Sequence, residues 1–278
     1  MSRAHRAQMV YSRAMRADPY LLYEAAVQDV DFDLELFSRV YRRERGTGFD
    51  LLREDFCGTA RLAATWVRRK ASGRAWAIDL NPRPLAWARA HHVPLIGAAA
   101  RRLRLIQGDV RRVRTPRVDV IAALNCSYWI FQERSALVGY LRRGFRALLP
   151  GGMMFVDAFG GEGAMRPLTE RRHVSGMRTW AGARVPPFTY EWEQKSFNPI
   201  DHRLVASIHF ELERGRHIRD AFRYDWRMWS IPEIAEALRQ AGFVDVQVHV
   251  QSWPLGVYRR RARFENQEGW LAYVVGVK

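Results

Sequence analysis

From residue 49 to residue 159 the chain alternates short apolar runs with longer amphipathic ones, and this pattern constrains the fold more than any other feature. The apolar runs are FDLLRED (49–55), GRAWAIDL (73–80), LRLIQGD (103–109), VDVIAALN (118–125) and MMFVDAF (153–159). Helical punctuation falls between them. Gly58 sits at a bend before a helix that runs to about Lys70, with Gly73 after its end. Asn81-Pro82 opens a second helix, and a third over 132–148 ends at Leu149-Pro150-Gly151-Gly152. Strands alternating with helices make βαβ units, so a doubly wound, mostly parallel sheet of the α/β class is expected, with helices on both faces. Right-handed crossovers put the carboxyl ends of all these strands on one edge, where such sheets bind ligands.

The flanks depart from this rhythm. Residues 1–45 carry apolar residues at three- and four-residue spacing in LLYEAAVQ (21–28) and FDLELFSRVYRRE (32–44), with a break at Asp18-Pro19. They read as an N-terminal helical cover on a domain spanning 46–278. Residues 160–187, rich in Gly, Arg and Pro, read as a loop or lid. Period-two alternation then appears in 189–197, 203–213 and 216–229, an antiparallel meander inserted within 160–229. A helix over 231–241 and strands over 243–250 and 270–277 complete a Rossmann-like sheet of seven strands.

Charge and cysteine content limit the partners. Lys and Arg outnumber Asp and Glu by 45 to 29, a net charge of +16. Only Lys70, Lys195 and Lys278 are lysines, and the arginine pairs are scattered along the chain. A nucleic-acid footprint should cluster, so such a partner is not favoured. Two cysteines exclude a disulfide scaffold. No apolar run approaches the ~20 residues of a membrane span. The basic N-terminus lacks the apolar stretch of a secretory signal, so a cytoplasmic protein without a membrane partner is expected.

Chemistry concentrates at the strand ends. The strand-to-helix turn Arg53-Glu54-Asp55-Phe56-Cys57-Gly58-Thr59-Ala60 runs through small residues into a helix, which lets backbone approach a ligand closely. It is not the glycine fingerprint of a pyrophosphate site. Asp79 ends the second strand, where a carboxylate can accept from both hydroxyls of a ribose. Asp109 ends the third and can accept an adenine amino hydrogen, while Leu80 and Val110 flank the ring. Asn125 ends the fourth strand, and Asp157 lies near the end of the fifth. Singly, each is an ordinary loop residue. Together, in strands otherwise apolar, they point to a nucleoside pocket. Cys57 and Cys126 both fall near this edge and are read as buried small residues, with no spacing that suits zinc.

These pieces resemble the class I S-adenosylmethionine-dependent methyltransferases, small-molecule type. The resemblance rests on LLREDFCGTARLA, AIDLNP, QGDV, DVIAALNCSYWIF, LRRGFRALLPGGMMFVDAF and YDWRMWSIPEIAEALRQAGFVDVQV. It implies S-adenosylmethionine as cofactor and S-adenosylhomocysteine as product. It also implies that Glu54 is the acidic residue closing the first strand, that Cys57, Gly58 and Thr59 form the turn under the methionine moiety, that Asp79 is the ribose ligand and that Asp109 and Val110 are the adenine contacts, with Phe56, Leu80 and Asn81 as further cofactor-binding candidates. Asn125 would face the methionine or the sulfonium, and Tyr128 would overhang the donor. The turn departs from the family pattern, because Gly58 alone remains of its usual glycines.

Methyl transfer from a sulfonium is an in-line displacement, so positioning dominates and a base helps where the acceptor must lose a proton. Tyr128, Asp157 and His209 are the candidate catalytic groups. Trp129, Asp157, Tyr224 and Trp226 are candidates to contact the acceptor, although the stripe Phe222, Tyr224, Trp226 and Met228 equally suits core packing. Tyr23, with Tyr11, is a candidate to cap the donor or an ordinary helix-packing residue. The N-terminal cover and the meander favour a small-molecule N or O acceptor. An RNA or protein methyltransferase is the alternative, and it requires Arg101–Arg104 and Arg259–Arg263 to border the pocket mouth. A non-catalytic scaffold is the third reading.

Overall fold

The structure, a computed structural model, describes residues 18–180, 184–252 and 257–278. The helix expected before Asp18 and Tyr11 lie outside the described residues. The chain forms two compact units. The larger comprises Val30–Met165 and Trp226–Lys278, and the smaller comprises Arg166–Asp225 with the segment ending at Asp29.

In the larger unit, helix α2 (Val30–Arg45) precedes β1 (Leu51–Asp55), α3 (Arg61–Arg69), β2 (Arg74–Asp79), α4 (Pro82–His91) and β3 (Leu103–Gln107). Next come β4 (Val118–Ala123), α5 (Arg134–Ala147) and β5 (Leu148–Gly160). After the smaller unit follow α6 (Ile231–Ala241), β12 (Asp245–Ser252), β13 (Val257–Arg260) and β14 (Trp270–Val277). The sheet order is β13-β12-β14-β5-β4-β1-β2-β3. Strands β1 to β5 are mutually parallel, and β14 runs antiparallel between β5 and β12. The sheet thus has one strand more than the seven expected. The addition is β13, an outer strand antiparallel to β12. Its arginines hid it from pattern reading, and charge on an edge strand is what keeps such an edge from pairing with another chain.

Alternate residues of β1 show how the helices divide. Glu54 accepts from the Ala63 N–H of α3 at 2.9 Å, whereas Asp55 accepts from the Tyr140 hydroxyl of α5 at 3.0 Å. Helix α2 packs on β5 through Phe37 and Phe155, 4.3 Å between ring centroids. Because helices cover both faces, Ile121, Ala122, Phe155, Val156, Val274 and Val275 are fully buried, and the central strands read as continuous apolar runs. Helix α2 therefore belongs to the larger unit, and the units divide at Asp29 and Val30 instead of near residue 45.

The smaller unit holds α1 (Pro19–Val27), capped by the Asp18 carboxylate on the Tyr20 N–H at 2.8 Å. It also holds a four-stranded antiparallel sheet in the order β11-β10-β9-β6, built from β6 (Leu168–Val174), β9 (Phe188–Phe197), β10 (Arg203–Leu212) and β11 (Arg216–Arg227, whose last two residues belong to the larger unit). The short pair β7 (Met177–Arg178) and β8 (Arg184–Val185) lies between β6 and β9. The stretch 160–187, expected as loop, thus contributes a full strand. Between Leu168 and Val174 all five residues of β6 are exposed and polar or charged, so no alternation marks it. Tyr20 and Tyr23 of α1 pack on Phe222, and the Arg172 guanidinium bonds the Ala26 carbonyl.

Candidate functional site

The candidate site is built from two turns that leave neighbouring parallel strands. After β1, Phe56, Gly58 and Ala60 adopt φ of 56°, 52° and 55°. After β4, Asn125 and Cys126 adopt 55° and 53°. Left-handed backbone costs a non-glycine residue roughly 1 kcal/mol or more and persists where surroundings enforce it, often at functional sites. Each turn is pinned. The Cys57 N–H bonds the Ile78 carbonyl at 2.9 Å, and the Ala60 N–H bonds the Cys57 carbonyl at 2.7 Å. A Cβ placed on Gly58 would meet nothing within 4 Å, so the chain leaves open space there.

Asp79 closes the gap between β1 and β2. One carboxylate oxygen accepts from the Gly58 N–H at 2.8 Å and the other from the Asn81 N–H at 2.8 Å. Burial raises its pKa, while backbone N–H bonds from Asn81, Gly58 and Leu80 oppose the rise. Each oxygen keeps a lone pair for a further donor. Beside it, Leu80 exposes 69% of its surface, and Asn81 caps α4 through the Arg83 N–H. Glu54 and Thr59 are buried in the first turn, and Phe56 packs against Phe131 and Tyr140.

The loop after β3 is more crowded than the sequence suggests. Asp109 is gripped by Arg111, whose Nε and Nη2 donate to its carboxylate at 2.6–3.1 Å. That pairing holds the Asp109 carboxyl below its ordinary range. An incoming adenine amino group would share this carboxylate with Arg111. Val110 is buried, and the Gly108 N–H bonds the Asp79 carbonyl at 2.9 Å, joining the loop to β2.

Asp157 lies near the end of β5, as its sequence context implied. It is buried, and its two oxygens accept from the Asn125 and Cys126 N–H groups at 2.7 and 2.8 Å. Burial pushes its pKa up to about 6. The Tyr128 hydroxyl, fully buried, donates to the Asp157 carbonyl at 2.8 Å. Both groups therefore anchor the left-handed turn after β4. Trp129 is also fully buried, with Phe159 at 4.8 Å and Trp226 at 5.8 Å between ring centroids. Burial and the nearby carboxylates raise both cysteine pKa values, Cys57 beside Glu54 and Asp79, Cys126 beside Asp157. They stay protonated, inert thiols.

Tyr23, His209 and Tyr224 belong to the smaller unit. The His209 ring is buried in the sheet. Its Nδ1 accepts from the Asp220 N–H at 2.8 Å, and its Nε2 lies 3.0 Å from the Glu193 carboxylate. With Nδ1 accepting, the ring proton sits on Nε2, and neither nitrogen offers a free lone pair for a base. Tyr224 packs on Trp192 and Tyr23 on Phe222.

Pattern reading missed one buried polar cluster. Arg53 and Asp55, 2% and 1% exposed, form a bidentate ion pair within β1. The signal was present: two opposite charges at i and i+2 in a strand bounded by leucines share a face and demand each other.

No family model matches the chain, and no curated protein matches it. Solved structures do. DesVI of Streptomyces venezuelae superposes with a TM-score of 0.68 at 16% identity, over 96% of this chain and 99% of that one. CalS10 of Micromonospora echinaspora, an amino pentose methyltransferase with S-adenosylmethionine bound, gives 0.65 at 14% identity, over 96% and 98%. The sugar N-methyltransferase KedS8 of a Streptoalloteichus species gives 0.63 at 21% identity, over 93% and 92%. With that strand order and those two pinned turns at its carboxyl edge, the chain has the fold of the class I S-adenosylmethionine-dependent methyltransferases.

Proposed function

We propose that the protein is an S-adenosylmethionine-dependent methyltransferase acting on a small-molecule N or O acceptor. The observation that carries this reading is the Asp79 carboxylate, fixed by the Gly58 and Asn81 N–H groups next to the open space above Gly58. A carboxylate held this way fits a ribose diol, with Leu80 and Val110 flanking an adenine and Asp109 beside its amino group. Glu54, Phe56, Cys57, Thr59, Asn125 and Tyr128 complete the lining on this reading. The bound donor supplies an activated methyl on a sulfonium. The protein's share is orientation, which in favourable intramolecular models is worth up to about 7–11 kcal/mol.

The three groups expected as catalytic support a nitrogen acceptor in particular. Tyr128 and Asp157 are buried with their oxygens on backbone partners, and both ring nitrogens of His209 have partners in its own sheet. A neutral amine attacks with its own lone pair and sheds its proton afterwards, whereas a hydroxyl needs a base during transfer. The similar structures named as amino pentose and sugar N-methyltransferases agree with this. Trp129 and Trp226, both in the larger unit, supply apolar wall on this reading.

The nucleic-acid or protein alternative is disfavoured by where the arginines lie. Arg101 and Arg102 precede β3 and so sit at the sheet edge opposite to Asp79. The Arg102 guanidinium closes the end of α3 by donating to the Val67, Lys70 and Gly73 carbonyls at 2.6–2.7 Å. Arg259 and Arg260 lie on β13, five strand positions from β1, or about 24 Å at ~4.8 Å per strand.

Titration calorimetry with S-adenosylhomocysteine tests the proposal. Saturable binding is expected, and Asp79→Ala should weaken it by about 10- to 100-fold, the scale of losing charged hydrogen bonds worth ~1.5–3 kcal/mol. Absence of saturation in the wild type, or unchanged affinity in the variant, overturns it.

A further inference from the structure

The buried pair Arg53–Asp55 lies on the face of β1 opposite to Glu54, immediately before the turn that the proposed donor would contact. A buried ion pair gives weak net stability, because desolvation offsets its attraction. An apolar pair of similar volume would serve packing as well. What an apolar pair could not supply is the third bond of this guanidinium. Arg53 Nη2 also donates to the Val110 carbonyl at 2.8 Å, 57 positions along the chain. Val110 is the residue after Asp109, in the loop that would face the adenine.

The loop needs such a hold. It is attached to β2 by the Gly108 N–H on the Asp79 carbonyl, and it turns on the Asp109 carbonyl, which accepts from the Arg112 and Val113 N–H groups. A Cβ on Gly108 would come within 2.5 Å of the Val113 side chain, so the turn is already tight. From α5, Arg143 Nε donates to the Arg111 carbonyl at 2.9 Å. The same helix contributes Tyr140, whose hydroxyl donates to the Asp55 carboxylate at 3.0 Å. Asp55 thus fixes the guanidinium in one plane, Tyr140 fixes Asp55, and the guanidinium fixes the Val110 carbonyl. The Arg53 side chain is rigid at both ends.

We propose that Arg53, held by Asp55 and Tyr140, is a positioning residue that sets the register of the Asp109–Val110 loop and thereby the affinity for the adenine half of the donor. This deepens the reading under Proposed function and rests on it. Arg53 touches no reacting atom. It determines where the Asp109 carboxylate and the Val110 side chain stand relative to Asp79. Arg111, which grips Asp109 from the same loop, travels with that register.

The test compares wild type, Arg53→Met and the double variant Arg53→Met/Asp55→Asn. Asn at position 55 keeps an acceptor for the Tyr140 hydroxyl and removes the charge that the single variant strands. Melting temperature and the Kd values for S-adenosylhomocysteine and for 5′-methylthioadenosine, which lacks the amino-acid tail, are measured for each. The single variant is expected to melt lower, and the double variant to recover most of that loss. Both should bind each ligand more weakly by at least about tenfold, the scale of one displaced hydrogen bond to a ligand. The factor should be the same for both ligands, because only the adenine half is affected. If affinity recovers together with melting temperature in the double variant, or never changes, the pair is merely structural and the inference fails. If Arg53→Met does not fold, the double variant against wild type decides alone. Failure of the wild type to bind either ligand refutes the proposed function instead, so the two failures are distinct.

Discussion

Residue 157 illustrates how burial redefines a side chain. Near a strand end an aspartate reads as a catalytic or acceptor-binding group. Here it is buried, and its two oxygens each accept from one of the N–H groups of two successive left-handed residues. The raised pKa has a definite sign. Folded Asp157 holds its proton up to about 6, against an ordinary aspartate value of 3.8. Between those values the folded state binds more protons than the unfolded state, so the group's contribution to stability falls as pH rises. Asp157→Asn lacks this titration. The wild type should therefore lose ~3 kcal/mol relative to the variant between about pH 4 and pH 7, at 1.36 kcal/mol per unit. Denaturant melts of both proteins across that range check this, and a constant difference contradicts it. His209 carries the same lesson, since both ring nitrogens are committed within its own sheet.

At the scale of elements, the termini were the most legible features. Ser230-Ile231-Pro232-Glu233 forms a complete capping box: Ser230 accepts the Glu233 N–H, and Glu233 accepts the Ser230 N–H at 2.9 Å. Helix α6 then ends at Gly242 with φ of 117°, a conformation only glycine adopts cheaply. Ser230→Ala should cost about 1 kcal/mol and lower the melting temperature by about 2–4 °C, with affinity for S-adenosylhomocysteine unchanged. A scanning calorimetry trace and a binding isotherm read the two halves separately. The strands over 270–277 and the helix over 231–241 coincide with the expected spans, because both are bounded by residues with strong local preferences. Strands β6 and β13 were illegible for the opposite reason. They are edge strands whose residues are mostly charged or polar, and with one buried side chain in each, Val174 and Tyr258, hydrophobic periodicity has too little to repeat.

At the scale of the whole molecule, a net charge of +16 predicts weak, sequence-independent association with RNA at low salt. That association should fade between about 50 and 200 mM salt, as counterion release requires. A gel-shift titration across that range checks it, and a complex that persists at the upper end would revive the nucleic-acid reading. Among the described residues no helix is long and apolar enough to cross a membrane. The sequence by itself determined the α/β class, the order of the parallel strands' ends and the presence of Asp79, Asp109 and Asn125 at those ends, because hydrophobic period and turn chemistry are local properties. Only the tertiary structure decided that Asp157 and Tyr128 serve as anchors, that Arg53 reaches the Val110 carbonyl and that α2 joins the larger unit. Each of these depends on a partner brought near by the fold across at least one other element, or on competition for a lone pair, and no window of neighbouring residues encodes which partner wins.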